Sequence, residues 1–495
     1  MYLGLDCGTS GLKALLTDER GAPVASAQSA YSPDRPRAGW SEQDPDVWAA
    51  AMAAAVAEIK TSAGKALGAL KAIGFSGQMH GAVLLDRAMK PVGPAILHND
   101  ARAHREAQEL DRDHPELARI VGVKPMPGFT GPKLKWITRH EPDNRRRAAW
   151  VLSPKDYLRL KLGGELATDM SDAAGTWLLD EAARAWSAEA FVACEADPAW
   201  APRLIEGSAS AGLISSKAAD QLGLPRGVIL AAGGGDAAAG AIGLGAIAPG
   251  EAFISLGTAT QLIVATDRYM SAPEKLVHSF AHALPARWYA MAAMLNGAGA
   301  LAFAGRLLGA PPEALEREAA ADFHGPGALL FLPYLSGERT PLDDPHARGV
   351  LFGLSETTSR ADIARAVMEG VALTLTDARD CLAAAGASIE RVGLTGGGAK
   401  SALWTRMIAA ATGLTVVRMQ GGETGPALGA ARLARMAATG EPPEAVCLPP
   451  EIADVTEPDP KLAAMFSAER KRFKALYSAV REEFRRPAPS EAQSG

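Results

Sequence analysis

A chain of 495 residues is too long for one ordinary hydrophobic core, so two or three domains are expected. Its 48% hydrophobic and 22% charged residues are those of a soluble globular protein, and a net charge of -5 offers no global attraction to nucleic acid or an anionic membrane. Cys7, Cys194, Cys381 and Cys447 stand without CxxC spacing, which leaves no disulfide framework or zinc site and makes a reducing cytoplasm the expected compartment. The first residues are already strand-like, without a basic leader, and apolar runs break well before the roughly 18 residues that span a bilayer.

In chain order, residues 1–18 open as an apolar strand that runs into a carboxylate, Asp6. A glycine-rich turn with Thr9, Ser10 and Lys13 follows, and the chain leaves as a second apolar strand. Gly8 and Gly11 let the backbone approach a ligand, and the hydroxyls and amides of such a turn can hold phosphate oxygens. Asp6 would face the same place and could hold a divalent cation, usually through water. Residues 18–21 read as a hairpin turn and residues 23–27 as a third strand. Asp44-Pro45 starts an alanine-rich helix. Residues 71–75 form a strand ending in Ser76-Gly-Gln-Met-His80. Residues 83–86 and 95–97 read as two more, the latter ending in His98-Asn-Asp-Ala-Arg102. Three antiparallel strands followed by alternating helix and strand describe a ribonuclease-H-like α/β unit.

Residues 228–240 deliver Asp236 from an apolar strand through three consecutive glycines to the start of a small-residue helix. A carboxylate so placed can accept a hydroxyl proton and orient the oxygen for attack on phosphorus; the plainer alternative is a helix cap. The second half repeats the plan. A hairpin over 250–264 carries Gly257-Thr258, a strand over 287–291 precedes a helix from Asn296, and residues 392–395 end in Gly396-Gly-Gly-Ala-Lys-Ser401 before a helix over 403–412. Two strand–Gly–Thr–strand hairpins, one per half, point to two similar domains gripping one nucleotide. The predicted domains are 1–245, with the candidate base Asp236, and 246–485. A last helix carries a docking face of Leu462, Phe466, Phe473, Leu476, Val480 and Phe484, and a disorder-prone tail covers 486–495.

The other motifs are weaker. His80 could donate to a sugar oxygen, but a lone histidine is ordinarily a hydrogen-bonded loop residue. His98, His104, His278 and His282 make no metal-ligand array. No GxxxxGK[ST] occurs, and of the two loose GxGxxA matches the one at Gly243 lacks a preceding strand while the one at Gly297 lies away from the strongest glycine sites, so a P-loop or dehydrogenase reading is disfavoured.

Taken together, LGLDCGTSGLK, WSEQDPDVW, SGQMHG, MPGFTGPKLKW, SPKDYLRL, TDMSDAAGTW, GGGDAAAGA, HSFAHALP, FLPYLSGERTP, GLTGGGAKSALW and GPALGAARLA resemble the FGGY family of carbohydrate kinases over Met1 to about Phe484. Gln78-Met-His80 and Trp40-Ser-Glu-Gln-Asp44 resemble its D-xylulose-phosphorylating members. The resemblance implies ATP-dependent phosphorylation of the 5-hydroxyl of D-xylulose with Mg2+, on two ribonuclease-H-like domains of the actin/hexokinase type with a cleft between them. It makes Asp236 the proton acceptor and places Asp6 by the metal and phosphates. Met79 and His80 fall to the sugar, and Thr9, Gly257, Thr258, Gly397, Gly398 and Ala399 to ATP. The implied partners are a small sugar and ATP, with neither nucleic acid nor membrane, and a homodimer is left open. The chain departs from the family pattern at Ala237 (usually Asn), His98 (usually Trp), Ala101 (usually Gly) and Thr260 of the second hairpin. These departures keep a related substrate such as ribulose or xylitol as the main alternative. A nucleotide-dependent binding protein on the same fold is the reading of a different class.

Overall fold

The structure, a computed structural model, describes residues 1–420 and 425–486. The expected tail falls almost wholly outside the described residues.

Two seven-stranded sheets share one plan. In the first, Tyr2–Cys7, Gly11–Thr17 and Pro23–Ala30 form an antiparallel meander. Ala72–Gly77 then pairs parallel with Tyr2–Cys7, Ile229–Ala231 pairs parallel with Ala72–Gly77, and Ser210–Leu213 closes the edge antiparallel. In the second, Ala252–Leu256, Thr260–Thr266, Trp288–Met294 and Val277–Ala281 form the meander. Arg391–Thr395 and Thr415–Met419 follow in parallel, with Ile452–Thr456 antiparallel at the edge. The meanders sit where turn residues separate apolar runs; Gly21 takes φ +88° at the first of those turns, a conformation glycine adopts freely.

The predicted strands at 83–86 and 95–97 form, but outside the main sheet. Val83–Leu85 pairs with Trp150–Leu152, and Ala95–Ile96 with Glu42–Gln43. These short ladders anchor an insertion that brings His98 over the sheet's end. The helix expected at Asp44 runs over Pro45–Leu67, with the Asp44 carboxylate accepting from the Asp46 amide. The last helix, Pro460–Val480, docks on the second core through Leu462, Phe466 and Phe473.

The halves are joined by helix Gly425–Thr439, which returns from the second half to lie on the first sheet and against helix Asp236–Leu244. The approach is close enough to require glycine. A Cβ on Gly4 would lie 1.9 Å from the Ala427 carbonyl oxygen, one on Gly74 1.8 Å from that of Ala430, and one on Gly429 1.8 Å from that of Ala239. Among the described residues, no helix is long and apolar enough to cross a membrane.

Candidate active site

Strand register assembles the site. Gly234–Gly235 pairs parallel with Ala72–Gly77, so Asp6, Ser76 and Gly234 stand in one row across three strands, and Cys7, Gly77 and Gly235 in the next. Asp236 follows Gly235 immediately and begins its helix. Both carboxylates therefore emerge at the carboxyl ends of parallel strands, where open α/β sheets bind ligands. Asp6 is half-buried, and its Oδ1 is enclosed with no hydrogen-bond partner among the described residues. Burial raises its pKa, while Ser76 and Lys13 pull it down.

Asp236 is not the N-cap, which is Gly235; its Oδ1 accepts from the Ala237 amide at 2.8 Å. The carboxylate opens onto cleft water yet has protein around the rest of its surroundings. That partial desolvation, with the Asp6 charge nearby, pushes its pKa up to about 7 against a weaker pull from the Ala237 amide. A base titrating near neutrality suits proton abstraction from a hydroxyl. Ala237 is 8% exposed and packs into the apolar cluster around Met79.

Met79 stands directly beside this loop, and His80 follows Met79 in the chain. A Cβ on Gly235 would lie 2.7 Å from Met79 Cγ, and the Tyr289 hydroxyl reaches the Met79 sulfur at 3.7 Å. His80 takes φ +69° and places Nδ1 2.6 Å from the Gly175 carbonyl. Only a protonated Nδ1 can face a carbonyl at that distance. Burial holds the ring neutral, its pKa well below the usual histidine value. Nε2 is then an acceptor. The expectation that His80 donates is corrected: with Nδ1–H committed to the Gly175 carbonyl, Nε2 can accept a hydrogen bond but not donate one. His98 follows the same logic, with Nδ1 3.3 Å from Gln78 Oε1. Thr9 joins this network, since its hydroxyl donates to Gln78 Oε1 at 3.1 Å and its carbonyl accepts from Gln43 Nε2 at 2.9 Å.

In the second half, Ser255 pairs with Thr395, which brings the Gly257-Thr258 turn beside residues 396–399. Helix Ala298–Leu308 caps that turn, with the Ala298 amide donating to the Gly257 carbonyl at 2.7 Å. Gly396 (φ +89°) and Gly398 close tightly on Leu256, whereas a Cβ on Gly397 would meet nothing within 4 Å, so Gly397 looks onto open space. Ala399 is half-buried against the second core. The residues expected at ATP thus converge as one group at the strand ends of the second sheet, apart from Thr9, which lies on the first.

Residues 1–243 match the N-terminal domain of the FGGY family of carbohydrate kinases, and residues 252–438 match its C-terminal domain. The chain belongs to this family. It is 43% identical to a xylulose kinase of Escherichia coli over 97% of this chain and 99% of that protein. A solved xyloylose kinase from Brucella ovis superposes with a TM-score of 0.94 at 44% identity, covering 97% of this chain and 99% of the other. A ligand-bound xylulose kinase from Lactobacillus acidophilus superposes at 0.92 with 25% identity, over 97% of this chain and 98% of the other. The fold is therefore the two-domain actin/hexokinase-type α/β fold, and ATP is the phosphoryl donor of the family.

What the sequence did not disclose in this FGGY kinase is the buried charge network under the Asp236 loop. Lys155, Asp156, Arg159, Asp169 and Asp172 are all fully enclosed. Lys155 Nζ reaches Asp156 at 2.7 Å and Asp169 at 2.9 Å, and Arg159 donates to Asp156 and to the Ala232 carbonyl, each at 2.7 Å. The Ser171 hydroxyl donates to Asp169 at 2.5 Å and accepts from the Gly235 amide at 3.0 Å. Both flanks of the glycine run are pinned, so the base is held without any bulk beside it. The lysine and arginine of SPKDYLRL and the aspartates of TDMSDAAGTW were the available signal, because such residues are seldom enclosed unless paired.

Proposed function

We propose that this kinase transfers the γ-phosphoryl group of ATP to the 5-hydroxyl of D-xylulose, giving D-xylulose 5-phosphate and ADP. The observation that carries the reading is the placement of Asp236, beside Met79 and two residues on from Gly234, which shares the register row of Asp6, on a loop stripped of side chains. Its similarity to xylulose kinases over nearly the whole chain supports the choice of sugar. Asp236 takes the hydroxyl proton as the sugar oxygen bonds to the γ-phosphorus; the bond from that phosphorus to the β–γ bridging oxygen breaks, and ADP leaves. Met79 and His80 orient the sugar, residues 1–245 supplying sugar site and base. Thr9 and the 246–485 half, through Gly257, Thr258, Gly397, Gly398 and Ala399, hold ATP.

The enclosed, unpartnered Oδ1 of Asp6 fits a water-held Mg2+, which needs only one or two carboxylates beside the phosphates. That ion would neutralise phosphate charge. The four cysteines are unpaired and buried or half-buried, which supports a reducing compartment, the cytoplasm.

With Asp236 near 7, kcat/KM for the sugar should rise with pH, by about tenfold between pH 6 and pH 8. Asp6→Asn removes the like charge, so the midpoint should move to lower pH even as the rate falls. A profile flat over this range would remove Asp236 as the titrating base.

The functional test is coupled ADP release over D-xylulose, D-ribulose, xylitol and glycerol. D-xylulose should give the largest kcat/KM. Ala237 and His98 carry the second reading, since an amide and an indole usual at these positions are absent. A larger value for D-ribulose or xylitol would decide for it.

A further inference from the structure

A cavity of about 540 Å³ opens between the halves, walled by His80, His98 and Phe129 from the first and by Gln261, His278 and Arg339 from the second. Its polar groups are unevenly supplied. His80 and His98 have each committed Nδ1–H to a protein oxygen and offer only acceptors. Lys124, another cation of the wall, is paired with Asp343 at 3.0 Å. Arg339 differs. Its backbone amide is hydrogen-bonded, but its guanidinium makes no hydrogen bond or ion pair with any described residue. Beside it, His278 is 1% exposed, and neither ring nitrogen has a partner among the described residues. A half-buried guanidinium and a buried imidazole left unpaired at one wall are costly unless a ligand completes them.

We propose that Arg339 is a sugar-binding residue supplied by the second half, donating to the oxygens at the sugar end remote from the hydroxyl that is phosphorylated. This rests on the cleft being the sugar site. A ketose matches the wall: its hydroxyls can donate to His80 and His98, while its carbonyl oxygen can only accept. Arg339 provides the strong, charged donor that His80 and His98 lack.

The residue is also braced toward the phosphate side. Glu338 Oε1 accepts from the Arg339 and Leu295 amides, both at 2.7 Å, and Glu338 Oε2 accepts from the Asn296 side chain. Gly297 follows, and the next amide holds the Gly257 carbonyl. The arginine and the Gly257-Thr258 turn therefore share one rigid support, so seating the sugar fixes the loop that borders the nucleotide.

The test uses Arg339→Gln and Arg339→Lys in the full chain, with D-xylulose binding measured by calorimetry without nucleotide. Losing a charge-assisted donor should weaken sugar binding about tenfold to a hundredfold in Arg339→Gln, less in Arg339→Lys, with ATP affinity within about twofold of wild type. Added methylguanidinium should restore part of the loss. Because the guanidinium has no protein partner to orphan, the melting temperature should stay level or rise, which separates this role from a structural one. Sugar affinity within about twofold of wild type, or a loss confined to ATP, overturns the inference. If wild type binds D-xylulose and Arg339→Gln binds it equally, only the inference fails. If wild type binds neither D-xylulose nor the other sugars of the functional panel, the functional reading fails and takes the inference with it.

Discussion

Asp236→Asn should fold, bind ATP and lose about 10²–10⁴ in turnover. Asparagine keeps the shape, and its side-chain oxygen can still accept from the Ala237 amide, so the loop is preserved. What disappears is the group that takes the hydroxyl proton. The loss should fall on kcat with little change in the sugar KM, as expected when an interaction made in the transition state is removed. Steady-state kinetics beside an ATP titration checks this. Near-normal turnover by the folded variant would end the assignment.

The second large effect is structural. Gly74→Val places a branched side chain where even a Cβ would lie 1.8 Å from the Ala430 carbonyl oxygen, backbone that cannot swing aside. Helix Gly425–Thr439 must lift from the first sheet, losing the close packing that ties the two halves. A cost of about 3 kcal/mol is expected, at the upper end for overpacking, which lowers the melting temperature by about 6–12 °C for a domain of this size. Gly397→Ala is the control, because its Cβ meets nothing within 4 Å and should leave the melt unchanged. Circular dichroism melts of both variants decide it. Equal melting temperatures for Gly74→Val and wild type would contradict the packing account.

The repeated sheet plan was legible because local chemistry writes it: apolar runs broken by glycine turns gave both meanders and both glycine loops. Asp6 and Asp236 were legible for the same reason, each at the end of a strand beside glycine. The return of helix Gly425–Thr439 onto the first sheet was not, because Gly4 and Gly74 look like ordinary strand glycines until the distant helix is placed over them. The hydrogen-bonding sense of His80 was also hidden, since it depends on the Gly175 carbonyl, 95 residues away. The Lys155–Asp169 pair and the unpaired Arg339 are likewise products of long-range assembly. Pattern reading locates reactive groups; tertiary contacts decide which proton each one holds.

Above all, this cleft should phosphorylate one particular sugar hydroxyl. The most direct measurement is the NMR identification of the product from D-xylulose and ATP with the wild-type protein. The expected product is D-xylulose 5-phosphate, with phosphorus coupled to the C5 protons and one ADP formed per sugar phosphate. Phosphate on another oxygen, or ADP and inorganic phosphate without a sugar phosphate, would contradict it.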